Sequence, residues 1–209
     1  MIRILVADDH RIVREGLKQI LAENPDMTVT DEASNGQEVL TKIRKTECDV
    51  VLLDISMPGR SGLDILKQLK TERPRLSVLV LSMYSEEQYA MRALRAGAAG
   101  YMTKESAPDE LIDAIRKVST GRKYISPSVA EKMAFSLADD ERPPHENLSD
   151  REYQVMCMIA SGKTIKAIAD ELSLSVKTVS TYRTRILEKM KMKNNAELTH
   201  YSIQNRLVE

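Results

Sequence analysis

The sequence has little cysteine, no long apolar run and no net charge. Its two cysteines, Cys48 and Cys157, lie far apart and match no metal-ligand spacing. We therefore expect buried, reduced thiols in a cytoplasmic protein. Apolar runs such as Val50–Leu53 and Val78–Leu81 are far shorter than the roughly 20 residues of a transmembrane helix. No signal-peptide pattern precedes the strand-like segment Ile2–Ala7, so we expect no secretion signal.

The zero net charge conceals a division along the chain. The 209 residues include 31 basic and 31 acidic residues, and this total gives no hint of a nucleic-acid binder. Residues 148–209, however, hold ten basic and seven acidic residues, whereas residues 139–147 hold one arginine and four acidic residues. An acidic segment thus separates a balanced N-terminal region from a modestly basic C-terminal region.

The first 120 residues alternate between strand-like apolar runs and segments with apolar residues at helical spacing. Because each of five strands is followed by a helix, we predict an α/β fold with a doubly wound, five-stranded parallel sheet. The predicted strands are Ile2–Ala7, Met27–Ala33, Val50–Leu53, Val78–Leu81 and Ala98–Met102. The predicted helices are Arg11–Glu23, Gly36–Lys45, Ser61–Thr71, Glu86–Ala96 and Pro108–Thr120.

The rest of the chain has a helical pattern. We expect one domain over residues 1–121, a linker helix and flexible linker over 122–147, and an all-α, four-helix domain over 148–209. The linker helix is predicted over Pro127–Leu137, and the polar segment Ala138–Asn147 carries two prolines. The four-helix domain is predicted from a capping box at Ser149 to Glu152, helices Ile165–Leu172 and Val176–Met190, and a last helix capped by Asn195 that ends near Asn205.

Chemically reactive side chains follow the predicted strands. The carboxyl ends of parallel strands meet at one edge of a sheet, where ligands bind. Three carboxylates at one edge repel each other unless a cation neutralises them, and oxygen ligands favour magnesium (Mg²⁺). With Mg²⁺ and a lysine nearby, a phosphoryl group is the natural substrate, and an aspartate is the candidate nucleophile. The residues expected at this edge are Asp8, Asp9, Asp54, Ser82 and Lys104.

Each of these residues also has an ordinary structural explanation. An aspartate at a strand end can cap a loop, and the pair Asp8-Asp9 can begin a helix favoured by the helix dipole. Lys104 alone can be a solvated surface lysine. The combination at the ends of four strands is what favours a functional site.

Residues 1–121 resemble the receiver domain of two-component response regulators. The matching stretches are Val6-Ala7-Asp8-Asp9-His10, Leu53-Asp54-Ile55-Ser56-Met57-Pro58-Gly59 and Gly97-Ala98-Ala99-Gly100-Tyr101-Met102-Thr103-Lys104. The resemblance implies that Asp54 accepts the phosphoryl group. It also implies that Asp9, Asp54 and the carbonyl of Ser56 bind Mg²⁺, with Asp8 acting through water. Ser82 and Lys104 would bind the phosphoryl group, and Tyr101 would rotate inward behind Ser82.

Two positions depart from the family pattern. Glu105 stands where many receivers have proline after the lysine. Met83 follows the switch hydroxyl, where a smaller residue is common, and this leaves the lifetime of the acyl phosphate open.

The C-terminal region contains a short helix, a three-residue turn and a longer helix, which is helix-turn-helix spacing. The longer helix carries cationic and hydroxyl side chains suited to phosphates and base edges, although a solvated helix in an ordinary bundle would also carry them. Ser173 replaces the usual glycine of the turn. Ser180, Thr181, Thr184 and Arg185 are the best base-facing candidates, and Lys177, Thr178, Tyr182 and Arg183 are expected at the backbone.

Residues 148–209 resemble the output domain of the NarL/LuxR (FixJ) family. The resemblance is carried by stretches such as Leu148-Ser149-Asp150-Arg151-Glu152 and Lys177-Thr178-Val179, and by Ile186-Leu187. It implies a histidine kinase partner, double-stranded DNA as ligand, and a homodimer paired through Leu198, Tyr201 and Ser202. The segments Tyr124-Ile125 and Ala196-Glu197-Leu198-Thr199-His200-Tyr201 resemble those of GacA/UvrY-type regulators.

Two other functions remain open from the sequence. An aspartate-nucleophile phosphatase commonly has a second aspartate two residues after the nucleophile, but this chain has Ser56 there, so we expect no enzyme with rapid turnover. A DNA binder with a vestigial receiver would not need the acidic residues, all of which are present.

Overall fold

The computed structural model describes residues 1–127, 129–131, 133 and 143–208, without the side chains of residues 87 and 88. The chain divides into two compact units, Met1–Ala130 and Glu131–Glu209. The helical residues 127, 129–131 and 133 fall within the predicted linker helix. Residues 134–142, which include the rest of that helix and part of the predicted linker, lie outside the described residues.

The first unit contains a five-stranded, all-parallel sheet in the order β2-β1-β3-β4-β5. This order confirms the predicted doubly wound α/β fold, with the strand order reversing between β1 and β3. The strands are β1 (Ile2–Ala7), β2 (Met27–Ala33), β3 (Val50–Asp54), β4 (Ser77–Ser82) and β5 (Gly100–Thr103). The helices are α1 (Arg11–Ala22), α2 (Gly36–Lys45), α3 (Gly62–Glu72), α4 (Glu86–Arg95) and α5 (Pro108–Ser119).

The central strands are buried on both faces. Every residue of β3 and β4 is buried, as expected for apolar strands between two layers of helices. The prediction for β5 was wrong by two residues at its start, because Ala98 and Ala99 belong to the irregular connection that leads into the strand. Tyr124 continues this unit beyond residue 121, since its N–H donates to the carbonyl of Ala99 at 2.8 Å.

The second unit is helical in its described part. Its helices are α6 (Asp150–Ala160), α7 (Ile165–Glu171), α8 (Val176–Met190) and α9 (Asn195–Gln204). The predicted capping box between Ser149 and Glu152 is confirmed. The cap predicted for the last helix was wrong by one residue, because Asn194 accepts the N–H of Glu197. Pro144–Asn147, predicted as flexible linker, forms a 3₁₀-helix, since proline suits the first helical turn.

Candidate functional site

Two buried carboxylates meet a lysine at the carboxyl edge of the sheet. Asp8 follows β1, Asp54 ends β3, and their residues are 2% and 1% exposed. The Nζ of Lys104, from the loop after β5, lies 2.6 Å from Asp8 Oδ2 and 2.6 Å from Asp54 Oδ2. Because β1 and β3 are neighbours where the strand order reverses, the chain brings these groups to the crevice in which ligands of such sheets bind.

The pocket holds less positive charge than negative charge. Burial raises the pKa of Asp54, and the nearby Lys104 ammonium and the Ser56 N–H only partly offset that effect. Burial alone would lower the pKa of Lys104, but the charges of Asp54 and Asp8 outweigh it, so the net shift is upward. One ammonium therefore serves two buried carboxylates, and a further cation would be favourable.

Two buried oxygen atoms near Asp8 and Asp54 accept no hydrogen bond. Asp9 Oδ1 and Ser56 Oγ are buried and make no hydrogen bond. The N–H of Ser56 donates to Asp54 Oδ1 at 2.8 Å. Donor atoms of Asp8, Asp9, His10 and Asp54 lie within 4.8 Å of one another. This compact, mostly carboxylate donor set fits a divalent cation, and it confirms that the predicted acidic residues converge.

His10 belongs to this cluster, although the sequence analysis gave it no role. Its Nδ1 lies 3.1 Å from Asp9 Oδ1 and 3.4 Å from Asp8 Oδ1. The signal in the sequence was its position directly after the two aspartates, at the start of α1.

Ser82 and Tyr101 both form hydrogen bonds with the backbone of Tyr84. Ser82 is fully buried at the end of β4, and its Oγ accepts the Tyr84 N–H at 3.1 Å. The hydroxyl of Tyr101 donates to the Tyr84 carbonyl at 2.8 Å, and burial raises the pKa of this phenol. Tyr101 is only 3% exposed, so its ring already has the inward orientation.

The two departures from the family pattern leave the pocket geometry intact. The N–H of Lys104 donates to the Ser82 carbonyl at 2.8 Å, which fixes the loop that contains Glu105. Met83 is 65% exposed, so its side chain extends into solvent.

The second unit contains the predicted helix-turn-helix in α7 and α8. Ser173 adopts φ 53°, the left-handed conformation for which glycine is the usual choice. The N–H of Leu174 donates to the Ala169 carbonyl at 2.8 Å, and the Ser175 side chain caps α8 by accepting the Thr178 N–H. The turn thus forms in spite of the missing glycine.

The polar face of α8 is largely free of its own unit. Its apolar residues Val179, Ile186 and Met190 are buried, and Leu187 is half-buried. Arg183 donates through Nε to Asn195 Oδ1 at 2.7 Å, which ties it to α9. The predicted DNA contacts divide into exposed Lys177, Ser180, Thr181, Thr184 and Arg185, and half-buried Thr178, Tyr182 and Arg183.

Two of the three residues predicted to pair two output domains are buried inside their own unit. Leu198 and Ser202 are both fully buried, because they face the interior of their own unit, and the Ser202 hydroxyl donates to the Leu198 carbonyl. Tyr201 is half-buried, and its hydroxyl lies 2.8 Å from Nδ1 of His145. Ile203 is the large apolar residue of α9 that is exposed, at 55%.

Comparisons of the sequence with known proteins identify both units. Residues 4–116 match the response regulator receiver domain, and residues 146–202 match the bacterial regulatory proteins of the luxR family. The chain is 40% identical to the response regulator GacA of Pseudomonas protegens, over 100% of this chain and 99% of that protein. It is 38% identical to the response regulator UvrY of Escherichia coli, over 99% of this chain and 96% of that protein.

Solved structures of similar proteins have the same architecture. The RcsB response regulator of Salmonella typhimurium, at 27% identity, superposes with a TM-score of 0.63 over 96% of this chain and 98% of that chain. RcsB bound to promoter rprA in the presence of phosphomimetic BeF3⁻ gives a TM-score of 0.67 at 27% identity, over 96% and 97% of the two chains.

The fold, the acidic pocket and the helix-turn-helix define a regulator with a receiver and an output unit. The chain belongs to the two-component response regulators with a LuxR-type DNA-binding domain, and the predicted relationship to GacA and UvrY is confirmed. Its function is DNA-binding regulation of transcription, and the receiver implies a histidine kinase as partner. None of the helices in the described parts of the chain has the length and apolar character needed to cross a membrane.

Proposed function

We propose that a histidine kinase phosphorylates Asp54 and that the phosphorylated chain binds DNA as a homodimer. The observation that carries the proposal is the ammonium of Lys104 at 2.6 Å from Asp54 Oδ2, in a pocket that is otherwise acidic. An ammonium at that place can pair with a phosphoryl group as soon as Asp54 carries one. The Asp54 oxygen attacks phosphorus, and the kinase imidazole departs with the electron pair of the bond that breaks.

Mg²⁺ is the cofactor we propose for this pocket. Asp9, Asp54 and the carbonyl of Ser56 would hold it, with Asp8 acting through water. The buried Asp9 Oδ1, which accepts no hydrogen bond, and the converging carboxylates support this assignment. When bound, the ion supplies positive charge that offsets the repulsion between the carboxylates and an incoming phosphoryl group. Lys104 supplies the second cation, and Ser82 donates its hydroxyl to a phosphoryl oxygen.

We propose that phosphorylation acts through Ser82 and Tyr101. Ser82 Oγ accepts the N–H of Tyr84, while Tyr101 donates to the carbonyl of the same residue. A Ser82 hydroxyl that turns toward the phosphoryl group would move this shared backbone and so alter the loop before α4. The movement would couple a local change of charge to a surface that another molecule can bind.

The chain acts as a regulator rather than as a phosphatase in this proposal. Ser56 occupies the position two residues after Asp54, and a hydroxyl is a poor general acid beside a nucleophilic carboxylate. Sustained turnover of small phosphoesters by the purified protein would favour the enzyme instead.

The output unit reads DNA with α8 in the major groove in this proposal. The exposed Ser180, Thr181, Thr184 and Arg185 contact bases, and Lys177 with the half-buried Thr178, Tyr182 and Arg183 contacts the backbone.

We assign the receiver to residues 1–121, the linker to 122–147 and the output domain to 148–209. A homodimer would present two such helices to half-sites about 10 bp apart, or a multiple of that spacing. We propose that the exposed Ile203 helps to pair the two copies, and that the protein is cytoplasmic.

The test is direct phosphorylation of the full chain. We expect acetyl phosphate with Mg²⁺ to add one phosphoryl group, and peptide mapping after borohydride reduction to find it at Asp54. Asp113→Asn, which removes an exposed carboxylate of the same unit, should be phosphorylated like the wild type. A phosphoryl group on another residue, or none on any residue, would refute the assignment.

A further inference from the structure

A cavity of about 550 Å³ lies at the amino edge of the first unit's sheet, opposite the edge that carries Asp54. Because Val50 of β3 pairs with Ser77 of β4, the segments that lead into these two strands lie side by side there, next to the end of α5. The volume is within the range of about 300–1,000 Å³ that small-molecule sites occupy. The lining includes Cys48, Asp49, Arg73, Arg75, Ser77 and Ser119.

Two arginines give this cavity an excess of positive charge. Arg73, which is half-buried, follows α3, and the exposed Arg75 precedes β4. Neither guanidinium makes a hydrogen bond or an ion pair with any residue that the structure describes. Asp49 is the one carboxylate among the described lining residues, and Arg3 holds both of its oxygens, with Nε 3.2 Å from Oδ2 and Nη2 3.0 Å from Oδ1. The charges of the two arginines are therefore available to an anion.

The loop that carries the two arginines is fixed by its own hydrogen bonds. The N–H of Arg73 donates to the Leu69 carbonyl at 2.8 Å, and the N–H of Leu76 donates to the Arg73 carbonyl at 3.0 Å. Lys70 Nζ donates to the carbonyls of Pro74 at 2.6 Å and Leu76 at 2.8 Å. Pro74 restricts the backbone of this loop further. A ligand would therefore pay little to order the loop.

The end of α5 presents hydroxyl groups to the cavity. Ser77 Oγ donates to the Val118 carbonyl at 2.6 Å, and Ser119 Oγ donates to the Arg116 carbonyl at 2.8 Å. These bonds satisfy carbonyl oxygens at the negative end of the helix and so reduce their repulsion of an anion. A hydroxyl oxygen whose proton is already donated can still accept a hydrogen bond, so both serines can bind hydroxyl groups of a ligand.

We infer that this cavity binds a small phosphate monoester of a sugar or another polyol. A phosphate monoester carries a charge of about −1.5 to −2 near pH 7, which matches two guanidinium groups, and a guanidinium can hold two phosphate oxygens at once. The hydroxyl groups of the ligand would bond to Ser77 and Ser119, and its carbon skeleton would pack on Cys48 and Leu76. The described lining contains no aromatic ring on which a nucleobase could stack. The site lies apart from the acidic pocket and adds a second ligand to the proposed function.

The experiment titrates glycerol 3-phosphate and glucose 6-phosphate separately into the unphosphorylated full chain by calorimetry, in the absence of Mg²⁺. We expect at least one ester to bind, glycerol and glucose not to bind, and Arg73→Ala and Arg75→Ala each to weaken ester binding by about tenfold or more. Arg11→Ala, which removes an exposed arginine at the start of α1, should leave the affinity unchanged. Malonate, a dianion without phosphate, and inorganic phosphate, which lacks the polyol, should bind more weakly than the ester. In nuclear magnetic resonance spectra, the ester should shift the amide signals of Ser77 and Gly121 and leave that of Asp54 in place.

Four results would overturn the inference. The first is no binding of either ester, and the second is an equal loss of affinity in Arg11→Ala or no loss in the two cavity variants. The third is binding of malonate or inorganic phosphate as tightly as the ester, because the cavity would then not select a phosphorylated polyol. The fourth is a shift of the Asp54 amide signal in place of those of Ser77 and Gly121, which would place the ligand at the other edge of the sheet.

Discussion

Lys104 and Asp54 are 50 residues apart in the sequence, yet Nζ of one lies 2.6 Å from Oδ2 of the other. Both side chains are almost completely buried, and Asp8 makes an equivalent contact with the same ammonium. The Lys104 ammonium is therefore already in place for a phosphoryl group on Asp54. In the unphosphorylated pocket, two buried carboxylates share this single ammonium, so negative charge exceeds positive charge.

The first prediction concerns stability and pH. Burial raises the pKa of Asp54 in the folded state, so the unfolded chain loses this proton first as the pH rises. Because its pKa is higher in the folded state, Asp54 favours folding when the pH is below its unfolded-state pKa. This stabilising contribution is lost as the pH rises through its folded-state pKa. We expect Asp54→Asn to unfold at a higher urea concentration than the wild type at about pH 7, and the gain to shrink toward about pH 3. A gain that is constant with pH, or seen equally in Asp113→Asn, would contradict this account.

The second prediction concerns Mg²⁺ and thermal stability. An ion that binds only the folded chain stabilises it, by about 2.7 kcal/mol at a free concentration one hundred times its dissociation constant. We expect Mg²⁺ to raise the melting temperature of the wild type and to have a much smaller effect on Asp9→Asn at the same concentration. Scanning calorimetry with and without chelator measures both. An equal rise in the two proteins would exclude Asp9 as a ligand.

The third prediction concerns DNA. A lysine that contacts phosphate adds about one unit to the salt dependence of binding and affects all sequences similarly. We expect Lys177→Ala to weaken binding to a duplex selected from random sequence and to lower that slope by about one. Lys189→Ala is the matched control, since it lies on the same helix but its Nζ contacts Glu152 at 2.6 Å. Equal losses in the two variants, measured by fluorescence anisotropy, would argue against the assigned face.

The fourth prediction concerns the turn between α7 and α8. Ser173 holds a left-handed conformation that glycine adopts without steric cost. We expect Ser173→Gly to raise the free energy of unfolding of the output unit by about 0.5–1 kcal/mol and to leave DNA affinity unchanged. Ser161→Gly is the control, because Ser161 has an ordinary φ of −77° and glycine there should destabilise. Urea unfolding compares them, and a loss of stability in Ser173→Gly would be the contrary result.

The sequence predicted the sheet and the convergence at its edge because both follow from periodicity. Apolar runs such as Val50–Leu53 specify buried strands, and parallel strands must deliver Asp54 and Asp8 to the same edge. The short strand β5 was misjudged because small residues such as Ala98 and Ala99 fit a turn as well as a strand. The cap of α9 was misjudged because Asn194 and Asn195 are adjacent and equally good caps.

The parts of the site that sequence reasoning missed depend on side-chain direction. The sequence pattern does not distinguish His10, whereas the structure shows that its ring is directed toward Asp9. Leu198 and Ser202 lie one turn apart on a helix whose faces are not distinguished by a strong apolar pattern, so the sequence could not show that both are buried in their own unit.

The most direct measurement is a genome-wide map of the DNA sites occupied in cells by the wild type and by Asp54→Ala, each expressed at the same level. The account predicts discrete sites for the wild type, which share two half-sites, and strongly reduced occupancy of the same sites in Asp54→Ala. Equal occupancy of the same sites by both proteins would contradict it, because the receiver would then not control the output unit.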